Sequence, residues 1–144
     1  MSVMSSLERF QAYADAFEQT LADDNWQRLE EYFTPDTSYD PGDGTVAVGR
    51  EQVLTRLTDG VNGLDRRFDS RALSATEPKL DGDTVSLSWQ LTLTKDGAPD
   101  LVLSGAEHAT FKDGAISKMQ DVFDDGTGES LTAWMAAHGD LLTS

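Results

Sequence analysis

Residues 26–42 read WQRLEEYFTPDTSYDPG, and the way this stretch changes character decides the fold. Trp26, Leu29 and Phe33 recur at helical spacing, which predicts a short amphipathic helix over 26–33. Pro35 stops that helix, a brief extended run follows, and Asp40-Pro41-Gly42 turns the chain. Tyr39 and Asp40 are thereby set at the mouth of whatever the helix helps to close. A carboxylate there serves either as a turn residue or as a proton-transfer group. Both readings stay open on this stretch alone.

Working back from Trp26, Leu7, Phe10, Ala14, Phe17 and Leu21 mark one long amphipathic helix over residues 6–23, with Tyr13 leaning on the same stripe. Asp24 or Asn25 suits the N-cap of the next helix, and so short a connector implies a sharp corner. Working forward, Thr45–Val48 is extended. Gly49 then opens REQVLTRL, a third helix that buries Val53, Leu54 and Leu57 and breaks at Asp59-Gly60 and Asn62-Gly63.

From Phe68 the hydrophobic period changes to two. Strands are predicted over 68–77, 84–94, 101–111 and 115–124, separated by Asp81-Gly82-Asp83, Lys95-Asp96-Gly97 and Lys112-Asp113-Gly114. A last helix is predicted over 129–142, with Leu131, Trp134, Met135, His138 and Leu142 on or near its apolar side and His138 structural. Three helices followed by a four-stranded antiparallel meander form an α+β unit in which the helices cover the apolar sheet face. With 144 residues and 15.7 kDa, one domain over 1–144 is expected.

Composition excludes several function classes. Eleven Lys and Arg against 26 Asp and Glu give a net charge of −15 and a pI near 4.2, a surface that repels nucleic acid and anionic membranes. The same acidity suits a high-salt setting, where screening relieves self-repulsion. With no cysteine and two distant histidines, neither a disulfide framework nor a transition-metal site is expected. Phosphate-binding glycine loops, zinc-protease helices and nucleophile elbows are absent, so no cofactor is expected. No apolar run reaches membrane-span length, and MSVMSSLERF lacks a signal peptide's basic and apolar regions, so a cytoplasmic location is expected.

Two residues break the strand pattern. Glu107 shares a face with Leu101, Leu103, Gly105, Ala109 and Phe111, and Asp121 with Ala115, Ser117, Met119 and Phe123. Each should point inward, where desolvation or a like-charged neighbour raises a carboxyl pKa. A three-residue turn at 112–114 would pair Glu107 with Met119 and leave Asp121 diagonal to it. A two-residue turn would oppose Glu107 to Gln120 and bring Lys118 to the apolar side. The first is favoured because it keeps apolar residues together. The structural alternative is that one carboxylate pairs with an arginine such as Arg50, Arg56 or Arg71, or that the strand end is simply wet. His108, on the opposite face with Ser104, Ala106 and Thr110, reads as a sheet-surface or interface residue.

The order of these features, two helices, YFTPDTSYDP, a short helix, then a meander ending TFKDGAISKMQDVFDD, resembles the SnoaL-like and ketosteroid-isomerase-like group of the NTF2-like superfamily over residues 7–124. The resemblance implies a cone, with a curved antiparallel sheet wrapped around the N-terminal helices and an apolar pocket at the open end. It places Asp40 of TSYDP on the isomerase base and Glu107 of AEHATF on the acid of the oxyanion hole. Asp121 is similar to the acid/base residue of the cyclases. The oxyanion-hole tyrosine falls on Phe17, which has no hydroxyl, with Tyr13 one turn earlier.

The resulting expectation is cofactor-free proton transfer on a small apolar carbonyl compound, of isomerase, cyclase or dehydratase type. Asp40 would be the base, Glu107 or Asp121 the acid, and Tyr13 or Tyr39 a helper, within a pocket lined by Phe17, Trp26, Trp89 and Phe123. The alternative is a small-molecule-binding or structural dimer without turnover. The resemblance also implies a homodimer through the outer sheet face, where Val102, Ala106, Ile116 and Val122 alternate with polar residues. Salt would tighten that dimer, and protonation of His108 would weaken it below about pH 6.

Overall fold

The computed structural model describes residues 5–42 and 44–142; the first four and last two residues of the expected domain lie outside them. Helix α1, Ser6–Asp23, starts on a capping box in which Ser5 Oγ accepts from the Glu8 backbone N–H while the Glu8 side chain accepts from the Ser5 N–H. It ends at Asp24, whose φ of 61° reverses the chain. Its buried face runs Phe10, Tyr13, Ala16 and Thr20, so Tyr13 lies at the centre of the stripe rather than at its edge.

The next segment corrects the sequence reading. Trp26–Tyr32 is a 3-10 helix, and Phe33 already begins strand β1, Phe33–Asp40. β2 is Ala47–Val48, followed by α2, Arg50–Gly63, and a 3-10 turn at Asp65–Arg67. β3 is Ser70–Ala75, shorter than expected, and a further strand, β4, Lys79–Asp81, had no sequence signal. β5 is Thr84–Thr94, β6 Leu101–Lys112 and β7 Ala115–Phe123. Helix α3, Thr127–His138, passes into a 3-10 turn, Gly139–Leu142.

The sheet is therefore seven-stranded and mixed, in the order β2-β1-β7-β6-β5-β3 with β4 on β5. β1 runs parallel to β7, so the expected antiparallel meander is only its central part. The β1–β7 register shifts between Phe33 and Ser38, the interval that contains Pro35. Proline has no N–H to give to the ladder, so it stands where pairing is interrupted. The curved sheet wrapped around helices is as expected.

The β6–β7 hairpin follows neither anticipated register. Lys112 pairs with Ala115 and Phe111 with Ile116, as a two-residue turn requires, with Asp113 at φ 52° and Gly114 at φ 83°. Thr110 then pairs with Lys118, leaving Ser117 as an extra residue whose hydroxyl donates to the Thr110 carbonyl at 3.2 Å. This bulge has two effects. It turns Ile116 into the core, where it is fully buried and not on the outer face. It also sets Glu107 directly opposite Asp121.

One core cluster packs Phe10, Tyr13, Leu29, Phe33, Val85, Phe111, Ile116 and Met119 between α1 and the sheet. A second, around Phe68, Leu93, Leu101, Leu103 and Trp134, seats α3 on the far end of β5 and β6. No helix among the described residues is long and apolar enough to cross a membrane. The bulge makes a specific prediction. Ile116→Ala should cost about 2–5 kcal/mol of stability. Val122→Ala, at a residue 45% exposed, should be close to neutral. Equal losses in chemical denaturation would contradict the bulged register.

Candidate active site

Strand parity brings the site together. Tyr39 pairs with Met119, and Asp121 lies two residues beyond Met119 on the same inward face. The Tyr39 hydroxyl donates to Asp121 Oδ2 at 2.6 Å. Glu107 faces Asp121 from the neighbouring strand. Trp89 and Phe123 flank Gly105 from either side, as cross-strand partners of that glycine, with their rings edge-to-face at 5.9 Å.

Gly105 is required by this packing. A Cβ there would stand 2.4 Å from the Val122 carbonyl and 3.0 Å from the Trp89 ring. Gly42, at φ 91°, presses the turn after β1 against Asp121 in the same way, since its Cβ would lie 2.8 Å from the Asp121 carbonyl. Only glycine fits that combination of close approach and left-handed backbone.

Tyr39, Trp89, Asp121 and Phe123 border a cavity of about 560 Å³ between the concave sheet face, α2 and α3. Phe17, Leu57, Leu91 and Leu103 make its walls apolar, and Leu131 and Met135 close the α3 side. Tyr39 and Asp121 are polar groups in the wall at one end; Asp65 and Arg71 also line it, paired at 2.6 Å. A larger groove of about 740 Å³ runs outside, past Trp26, Pro35 and the start of α2. The inward strand carboxylates do not border that groove, so the smaller cavity is the site.

Both strand residues are partly buried overall, but their carboxyl groups lie among protein atoms. Desolvation, then the charge of Asp121, pushes the Glu107 carboxyl well above the ordinary range. Asp121 is raised to about 6: desolvation lifts it, the Tyr39 hydrogen bond lowers it, the Asp40 charge lifts it, and Trp89 lowers it. The Trp89 Nε1–H is buried without a partner in hydrogen-bond geometry, yet lies close enough to favour the Asp121 anion. Tyr13 and Tyr39 are held protonated, foremost by burial and then by the nearby carboxylates. Both carboxyls are raised, and Asp121 is the one whose anion Tyr39 favours by hydrogen bonding. The two form a paired acid and base whose protons leave in two steps.

The expected site residues fall into four groups. Phe17, Tyr39, Trp89, Phe123 and Asp121 line the cavity. Glu107 and Tyr13 stand behind Asp121, with Tyr13 enclosed by the rings of Phe10, Phe17, Tyr32 and Phe33. Trp26 backs the cavity instead of lining it, edge-on to Phe17 at 6.0 Å, with its Nε1–H donated to Asp24. Asp40 is not in the wall. Its Oδ1 accepts from the Gly42 backbone N–H at 2.9 Å, and its sheet partner is Gln120, so it is a turn residue acting on Asp121 only through its charge. Arg71 neutralises neither strand carboxylate. It binds Asp65 at 2.6 Å and Glu18 at 3.0 Å, and the sequence reading missed it as part of the site. Its signal was parity, since Arg71 shares a strand face with Leu73. No cluster of metal-ligating side chains occurs among the described residues.

The raised carboxyl pKa values have a definite sign in stability. A carboxyl whose folded pKa exceeds its unfolded value binds more protons folded than unfolded. Its stabilising contribution is complete below the unfolded value and is lost as pH rises through the folded one. Thermal stability should therefore fall from about pH 4 upward, past the Asp121 value near 6 and on through that of Glu107. Glu107→Gln should flatten the upper part of that decline in melting scans across pH. An unchanged slope would mean that Glu107 ionises normally.

Among curated proteins, none matches the sequence. Solved structures do. A suggested SnoaL-like polyketide cyclase from a Jannaschia species is 16% identical, with a TM-score of 0.67 over 95% of this chain and 96% of that one. An NTF2-like protein of unknown function from Burkholderia pseudomallei is 16% identical, at 0.65 over 98% and 100%. A protein of ketosteroid-isomerase-like fold from Catenulispora acidiphila, solved with trimethylamine, is 19% identical, at 0.61 over 88% and 92%. At these identities the likeness speaks for the fold. The SnoaL-like domain model itself matches residues 10–119, most of the chain, and the protein belongs to the SnoaL-like family.

Proposed function

We propose that the cavity binds a small, largely apolar carbonyl compound and that Asp121 moves a proton on it, as in isomerase, cyclase or dehydratase chemistry. The observation that carries this reading is Asp121 in an apolar wall, raised to about 6 and held by Tyr39 at 2.6 Å, with the Glu107 carboxyl, itself raised by burial, opposite. A base with that pKa is ionised at neutral pH and still basic enough to accept a proton from an activated carbon.

In the proposed step, the Asp121 carboxylate takes the proton from the carbon next to the carbonyl. The C–H electron pair forms the C=C bond and the carbonyl π pair moves onto oxygen, giving an enolate. Tyr39 occupies Oδ2, which leaves Oδ1 as the oxygen that receives the proton. Returning that proton from Asp121 to a different carbon isomerises the compound. Attack of the enolate carbon on a second carbonyl closes a ring, and the alkoxide so formed takes the proton back from Asp121. Glu107 acts through Asp121 as a positioning residue, and Asp40 contributes charge rather than contact. Side chains alone supply the acid and base.

Binding without turnover is the second reading. It is favoured by one observation: the position matching the isomerase base is occupied by Asp40 in a hydrogen-bonded turn. Deuterium exchange at the α-carbon of 2-tetralone, followed by NMR, separates the two. The first reading expects exchange that rises through about pH 6 and falls by at least about 100-fold in Asp121→Asn. Tyr39→Phe should move the midpoint upward, because Tyr39 favours the Asp121 anion. Binding of the ketone with no exchange above background would establish the second reading.

The assembly we propose is a two-fold dimer through the outer sheet face. Val102 and Val122 are 44% and 45% exposed there, and Ser86 Oγ and His108 Nδ1 share a hydrogen bond of 2.7 Å on the same face. With Ile116 turned inward, these valines carry the apolar content of the interface. Two subunits of −15 repel, so sedimentation should show association that tightens with ionic strength. A monomer at every salt concentration would rule the dimer out.

A further inference from the structure

The end of the cavity remote from Asp121 carries a charged group that the proposed proton transfer does not use. Arg71 pairs across the sheet with Leu93, which is fully buried, so its side chain starts on the concave face. It lines the cavity and is only 19% exposed. Its Nε–H donates to Asp65 at 2.6 Å, and Nη1 donates to both oxygens of Glu18 at 3.0 and 3.2 Å. Nη2 makes no hydrogen bond among the described residues. With Nε and Nη1 both clamped, the orientation of the guanidinium is fixed and Nη2 is left as its nitrogen with donors unspent.

Asp121 and Arg71 stand on β7 and β3, with β6 and β5 between them. Three strand spacings separate them by about 14 Å across the sheet, and the pairing of Asp121 through Glu107 to Leu87, against Arg71 with Leu93, separates them by a further six residues, about 20 Å, along the strands. Between them the wall is Trp89, Leu91, Leu103 and Phe123. The charged groups of the wall are Arg56 and Arg71 against Asp59, Asp65 and Asp121, two cations to three carboxylates. Glu18 adds a further negative charge on Arg71 itself. An anionic ligand meets a net negative cavity in a protein of charge −15.

We infer that the cavity takes an elongated, uncharged molecule with an oxygen acceptor at each end. One oxygen belongs to the carbonyl activated beside Asp121, and the other accepts from Arg71 Nη2. This rests on the proton-transfer reading for the first end only. Arg71 is then the residue that selects length and polarity, and Asp65 and Glu18 fix its plane.

Three probes of one shape test this by titration calorimetry on the full chain: 6-phenyl-2-tetralone, its 4′-acetyl derivative and its 4′-carboxylate. The acetyl compound should bind about tenfold tighter than the parent, as expected for one hydrogen bond to a charged donor. The carboxylate should bind more weakly than the acetyl compound. Arg71→Met should erase the acetyl preference. Arg71→Lys, which keeps a cation for Asp65 and Glu18 but has no counterpart of Nη2, should erase it too and guards against misfolding in the first variant. Preference for the carboxylate, an acetyl preference that survives in folded variants, equal affinity of the two ketones, or no binding of either overturns the inference. Exchange at the α-carbon of the parent ketone reports on Asp121 separately, since that probe has no oxygen for Arg71. Its loss in Asp121→Asn with the acetyl preference intact would leave both readings standing. Its absence in the wild type alone would remove the proton transfer and not the selection by Arg71.

Discussion

Glu107 and Asp121 face each other across two strands in a setting that cannot hold two charges. Like carboxyls side by side in apolar surroundings resist ionising together, so both are raised and each charge makes the other costlier. A neutral carboxyl costs far less to bury than a carboxylate, and this is why the core tolerates the pair. Much of the local structure follows from the constraint. The bulge at Ser117 sets the residues opposite one another. Tyr39 supplies a donor to the one that ionises first. Gly105 and Gly42 remove the Cβ atoms that would otherwise force Trp89 and the β1 turn away from it.

The donor to Asp121 comes from the sheet and not from the first helix. Phe17 has only a ring to offer, and Tyr13 is wedged among aromatic neighbours behind the carboxyl pair. Tyr39 reaches the site because β1 lies parallel to β7 with Tyr39 beside Met119. The same strand ends at Asp40, whose side chain closes the turn to Gly42. One short strand therefore carries a hydrogen-bond donor facing inward and, at the next residue, a charge facing outward. Both bear on the same carboxyl with opposite sign.

Alternation was enough to read the inward carboxyls, because Glu107 and Asp121 each interrupt a run of apolar partners. Their direct opposition was not legible. A single unpaired serine shifts the register, and nothing in TFKDGAISKM distinguishes a bulge from a longer turn. β1 was hidden for a different reason. TPDTS is polar and proline-interrupted, and its place in the sheet depends on a partner some 80 residues away. Its preceding 3-10 segment, Trp26–Tyr32, keeps the Trp26–Leu29 spacing that an α-helix shares, and Phe33 already lies beyond it in β1. Arg71 was read only as a partner for Glu107 or Asp121, and Asp65 was passed over, because charged residues beside a strand usually face water. Here α1 and the turn after α2 close over them.

The arginines show how an acidic chain spends scarce cations. Arg9 donates to the carbonyls of Gly114 and Glu31 and lies 4.5 Å from the Tyr32 ring centre, joining α1 to the β6–β7 turn and to the 3-10 segment. Arg66 reaches Asp24 and the Leu21 carbonyl at the end of α1, and Arg67 reaches the Leu142 carbonyl. Isolated exposed ion pairs contribute little and weaken with salt. A guanidinium that also fills backbone carbonyls between separate elements does more, because it satisfies groups that closure would otherwise strand. These clamps sit around the rim while the carboxyl pair sits in the apolar interior. Salt therefore screens the long-range repulsion of a −15 surface and reaches the buried pair much less. The site's acid–base balance is set by local packing, and the surface charge is left to govern solubility and association.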